Sequence, residues 1–106
     1  MLKEQFLIGI KNQSKQIMPN GTRVVLFGSQ ARDDADDESD WDLLILLNKE
    51  KISRSDFDTY AYPLIEYGWK NNEQVSPVLY TFNDWRLRQL TPFHENVETE
   101  GIELCH

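Results

Sequence analysis

Residues 24–47 read VVLFGSQARDDADDESDWDLLILL, and this stretch decides the fold. Arg23 to Phe27 is a β-branched and apolar run, which predicts a short buried strand stopped by Gly28. Ser29 to Arg32 then predicts a short helical turn whose start faces the end of that strand. From Asp33 to Asp42, seven of ten residues are Asp or Glu. The first part of that segment is too polar for a core and predicts a solvated loop. Trp41 to Leu47 is nearly all apolar beyond Asp42, which predicts a central strand covered on both faces.

Each half of this stretch suits a different part of a phosphate–metal site. A Gly-Ser pair at a strand end presents backbone N–H groups to phosphate oxygens. Gly28 lets a phosphate approach the backbone, and the Ser29 hydroxyl can donate to it. Arg32, one helical turn on, has two readings. It reaches a phosphate as a bidentate donor, or it pairs with Asp33, Asp34 or Asp36 at the surface. Strand alternation puts Asp40 and Asp42 on one face and Trp41 on the other. Trp41 then packs inward while the two carboxylates converge on a cation at the mouth of a buried strand. An Asp-x-Asp in an acidic loop is weak by itself, as is a lone Gly-Ser. The abrupt change to Leu43-Leu44-Ile45-Leu46-Leu47 strengthens the Asp-x-Asp, because it sets the carboxylates at the mouth of a buried strand.

Outward from this stretch, Leu2, Phe6, Ile10 and Ile17 fall at near-helical spacing and predict an amphipathic opening helix, ended by Pro19-Asn20-Gly21. Ser53 or Ser55 can cap a third helical segment, with Asp56 or Asp58 at the capping-box position. Its apolar stripe is Phe57, Tyr60, Ala61, Leu64, Tyr67 and Gly68, and Asn71-Asn72 break it. Tyr60, Tyr62, Tyr67 and Trp69 read as core aromatics rather than a base-stacking platform. Gln74 to Thr81 predicts a third strand, placed at an edge or bulged by Pro77. Asn83 can cap a short helix containing Trp85 and Leu90. Thr91-Pro92 starts a last helix, closed by Gly101, with Phe93, Val97 and Ile102 sealing it onto the sheet. The expected order is α-β-turn-β-α-β-α-α: an α/β (α+β) domain over residues 1–106, with helices packed on a small mixed sheet.

Composition sets further bounds. The chain has 106 residues, 40% hydrophobic, enough for one core. A net charge of −7 argues against a general nucleic-acid binder, since phosphate backbones want a basic surface. The one cysteine, Cys105, excludes an intramolecular disulfide. The longest apolar run, Leu43 to Leu47, is too short to span a bilayer, and Lys3, Glu4 and Lys11 interrupt any signal-peptide core. The expectation is a soluble cytoplasmic protein without a membrane partner. His94 and His106 lack metal-ligand spacing with Cys105.

Taken together, Gly28-Ser29, ten residues, Asp40-Trp41-Asp42 and an apolar run resemble the signature of the DNA polymerase β-type nucleotidyltransferase superfamily. More narrowly, the chain resembles the minimal nucleotidyltransferases, small proteins of about this length. The resemblance implies a palm-like mixed sheet and ATP or another NTP held by Gly28, Ser29 and Arg32. It implies Mg²⁺ (or Mn²⁺) bound by Asp40 and Asp42 as the catalytic carboxylates. A nucleoside monophosphate, AMP most naturally, passes to a hydroxyl, and pyrophosphate leaves. Minimal nucleotidyltransferases often resemble the antitoxin half of a module whose other half is a HEPN-domain protein, which makes a partner side chain the implied acceptor.

Two departures stand out. Many active members carry a third carboxylate on the later strand, near Ser76, and no acid is there; Glu73 is the substitute on offer. Ser is a poor Mg²⁺ ligand beside carboxylate. The other departure is Asp33, where members often have Gly. The missing acid keeps a second reading open, a catalytically weak or inactive module that binds nucleotide or a partner through the same fold. Transfer to a small molecule such as an aminoglycoside is a third.

Overall fold

A computed structural model of the chain describes residues 2–36 and 38–106. Four strands form one mixed sheet in the order β3-β2-β1-β4. They are β1 (Arg23–Phe27), β2 (Trp41–Leu47), β3 (Val75–Thr81) and β4 (Ile102–Cys105). β1 runs antiparallel to β2 and to β4, whereas β2 and β3 are parallel. The helices are α1 (Lys3–Ile17), α2 (Ser29–Arg32), α3 (Arg54–Asp56), α4 (Tyr62–Lys70), α5 (Phe82–Arg86) and α6 (Pro92–Glu100). A π-helical turn, Phe57–Ala61, joins α3 to α4. The sheet is small and mixed with helices on it, as expected, and among the described residues no helix is long and apolar enough to cross a membrane.

The unbroken apolar run of β2 follows from its central place. Leu43, Ile45 and Leu47 face Phe6 and Ile10 of α1 and Leu64 of α4, together with Val24 and Leu26 of β1. Leu44 and Leu46 face the opposite way, with Val25, against Trp85 of α5 and Val97 of α6. Trp41 is fully buried on the α1 side, its ring 4.8 Å from that of Phe6. β3 is an edge strand, which accommodates Pro77 without a broken ladder.

Several elements differ from the sequence reading, each for a local reason. Leu2 lies outside α1 as its N-cap and is exposed; the buried stripe is Phe6, Ile10 and Ser14. The Ser14 hydroxyl satisfies itself by donating to the Ile10 carbonyl at 2.9 Å. Asp56 closes the box at Ser53, accepting from its N–H at 2.7 Å. The π turn ends two residues before Pro63, whose ring nitrogen has no proton to continue the regular ladder. Tyr67 packs on Phe6 and Tyr60 touches the core, but Tyr62 and Trp69 are exposed and meet edge-on at 6.1 Å. Thr81, not Asn83, caps α5, accepting from the Asp84 N–H at 3.0 Å, and Leu90 lies beyond that helix in solvent.

The largest difference is β4. Ile102 does not seal α6; it opens β4 opposite Leu26 and is partly exposed, while Leu104 enters the core. Arg23 ties the region together. Its guanidinium donates to both Glu98 oxygens, at 2.8 and 2.9 Å, and to Glu103 at 2.7 Å. Trp85 Nε1 donates to Glu98 as well, at 2.7 Å.

Candidate functional site

The chain crosses from β1 to β2 at one end of the sheet, and the signature residues gather there. Gly28 has φ +76°, a conformation that L side chains rarely adopt, and a Cβ at this position would overlap Asp42 Oδ2. Glycine therefore answers two needs, the sharp exit from β1 and direct contact with the carboxylate opposite. The contact follows from register, since Phe27 is the partner of Asp42. Ser29 opens α2, so its N–H is among those that a helix start leaves without an intrahelical acceptor. The Gly-Ser corner and the Asp-x-Asp pair are thus adjacent in space although separated in sequence.

Asp42 is half-buried at the start of β2, on the face that Leu44 and Leu46 share. Burial pushes its carboxyl above the usual range and the neighbouring Asp40 charge adds to this, while Arg32 opposes it. Two carboxylates held together against their own repulsion, beside a backbone cradle that a single methyl would fill, are a donor set suited to a hard cation. Such a cation completes its shell with phosphate oxygens and water. Among the described residues no three His, Cys, Asp or Glu side chains are grouped to hold a metal, so the protein's own ligands would be Asp40 and Asp42.

The third strand supplies no acid. Ser76 is the register partner of Asp42, and its hydroxyl donates to Asp40 Oδ2 at 2.9 Å. Glu73, the substitute offered by the sequence, is turned to the other face, where it accepts from Trp41 Nε1 at 3.2 Å. Arg32 takes its acid-pairing alternative: Nε lies 3.2 Å from Asp34 Oδ2 and a terminal nitrogen lies 3.6 Å from Glu100. It still borders a cavity of about 200 Å³ beside Gly28, lined also by Phe27, Phe93, Asn96, Val97 and Glu100.

Sequence reasoning missed Gln30. It is buried, and its side-chain amide donates to the Ser39 carbonyl at 3.3 Å, holding the end of the acidic loop next to Asp40. Its one signal was a polar side chain on the short turn between Ser29 and Arg32. Asp33, at the end of α2, has φ +63° and ψ +28°. This left-handed geometry is the physical reason a glycine suits that position.

A family model described as nucleotidyltransferase domain matches residues 7–101. The chain belongs to that family. The match spans the Gly-Ser corner, the Asp-x-Asp strand and all of β3. A Methanocaldococcus jannaschii protein provisionally named a protein adenylyltransferase is 37% identical over 82 residues, 77% of each chain. The fold also resembles that of a chain in a crystal structure of a toxin–antitoxin with AMP-PNP. That match has a TM-score of 0.59 and 20% identity, over 98% of this chain and 73% of that one. At that identity the likeness is one of fold.

Proposed function

We propose that residues 1–106 form a minimal nucleotidyltransferase that moves AMP from ATP to a hydroxyl group on another protein, with Mg²⁺ or Mn²⁺. The observation that carries this reading is the contact of Gly28 with Asp42, which puts the Gly-Ser corner against a carboxylate pair. In the reaction an acceptor hydroxyl oxygen bonds to the α-phosphorus, the α–β anhydride bond breaks, pyrophosphate leaves, and the hydroxyl proton is lost to a base. The divalent cation, when bound, neutralises charge on the phosphoryl oxygens. Gly28 would admit those oxygens to the backbone, the Ser29 N–H and hydroxyl would donate to them, and Asp40 and Asp42 would hold the cation. Arg32 exchanges Asp34 and Glu100 for phosphate.

A protein acceptor is supported by the name of the M. jannaschii relative. A HEPN-type partner in an antitoxin-like pair is the specific form of this proposal, in keeping with the toxin–antitoxin fold match. The test is transfer of label from α-³²P-ATP to a co-purified or neighbour-encoded protein. Asp42→Asn should lower transfer by about a thousandfold, because metal-assisted charge stabilisation is worth several kcal/mol. Equal transfer by wild type and D42N would refute the proposal.

One observation favours a second reading. Ser76 stands where an acid would assist the acceptor, so the fold would bind nucleotide and partner without efficient transfer. Tight Mg²⁺–ATP binding with no label on any partner, together with partner inhibition that persists without ATP, would select it.

A further inference from the structure

We propose, resting on the nucleotidyl-transfer reading above, that Ser76 limits this site to a single divalent cation, which arrives with the nucleotide. β2 and β3 are parallel, and Ser76 is the Cα partner of Asp42, so both side chains leave the sheet on the same face. A carboxylate at this position would make a third anionic ligand beside Asp40 and Asp42. The serine hydroxyl instead donates to Asp40 Oδ2 at 2.9 Å, which fixes that carboxylate.

Among the described residues no third acid is grouped with Asp40 and Asp42. Glu73 is held on the opposite face by the Trp41 indole. Asp36 is engaged within the loop, accepting from the Glu38 N–H at 2.9 Å and the Ser39 hydroxyl at 3.2 Å. Asp34 and Glu100 sit beside Arg32 and are not grouped with Asp40 and Asp42. Two carboxylates and a neutral hydroxyl satisfy a cation that shares its shell with a triphosphate, but lack the charge for another held by protein alone. Ser76 is therefore a positioning residue: it acts on the cation through Asp40.

The experiment counts Mn²⁺ by electron paramagnetic resonance during titration of the intact protein, with and without α,β-methylene ATP. Wild type should hold one Mn²⁺ per chain with the nucleotide and none tightly without it. S76D should hold a second. S76A should keep one but bind it about tenfold more weakly, since partners that orient metal ligands are worth that much, and S76T should restore wild-type affinity. The melting temperature of metal-free S76A should match wild type, which separates positioning from folding. Two Mn²⁺ ions in wild type, or unchanged affinity in S76A, would overturn the proposal. If S76D fails to fold, the S76A and S76T pair decides the matter. Wild type that is folded yet takes up no Mn²⁺ with nucleotide would sink the nucleotidyl-transfer reading itself, and this inference with it.

Discussion

Gly28 and Asp33 bracket α2 and show how single backbone positions build the site. Both have positive φ, one at the corner where β1 ends and one where the turn ends. Gly28→Ala would place a methyl on the Asp42 carboxylate and force an L side chain into a strained conformation. It should destabilise the fold by about 2 kcal/mol in urea titration and abolish calorimetric Mg²⁺–ATP binding. Asp33 carries strain without that contact, and its ion pair with Lys3 is solvent-exposed. Asp33→Val should therefore cost about 1–2 kcal/mol, whereas Asp33→Gly should be nearly neutral, relief of strain offsetting the lost surface pair. That Gly28 stops β1 was legible in the sequence. The strain at 33 was not, because left-handed geometry depends on where α2 stops and the loop departs.

At the scale of elements, β4 and α6 are fastened to β1 by Arg23, Glu98 and Trp85. Glu98 is held down at about 2, first by the Arg23 hydrogen bonds, against an ordinary value of 4.5. The unfolded chain therefore takes up this proton first as pH falls. The stabilisation is complete above about pH 4.5 and is lost as pH drops toward 2. Allowing for the partial exposure of the pair, Glu98→Gln should cost about 2 kcal/mol at pH 7. The stability difference between variant and wild type should shrink in urea titrations through that acid window. β4 escaped the sequence reading because it is four residues long, lies at an edge and follows a helix ending at Gly101. Alternation over Ile102-Glu103-Leu104-Cys105 is too short to distinguish a strand from a helix tail.

For the whole molecule, the core lies on both faces of β2, while the candidate cation site sits at the rim of the sheet. Folding should therefore not depend on metal. EDTA should leave the melting temperature unchanged, whereas Mg²⁺ with ATP at a hundred times its dissociation constant should stabilise the protein by about 2.7 kcal/mol, read as a rise in melting temperature. A loss of structure in EDTA would contradict this separation of core and site. The sequence by itself determined the strand–Gly-Ser–acidic loop–strand unit, the inward Trp41 and the shared face of Asp40 and Asp42. These follow from side-chain alternation and turn chemistry between neighbours along the chain. Only the tertiary structure decided that Ser76 grips Asp40, that Glu73 turns to Trp41, that Arg32 pairs with Asp34 and Glu100, and that β4 completes the sheet. Three of these four join residues dozens of positions apart, and in the fourth Arg32 divides itself between a near neighbour and distant Glu100. Strand order, register and the competition among nearby charges select such partners, and none of these is written in a local pattern.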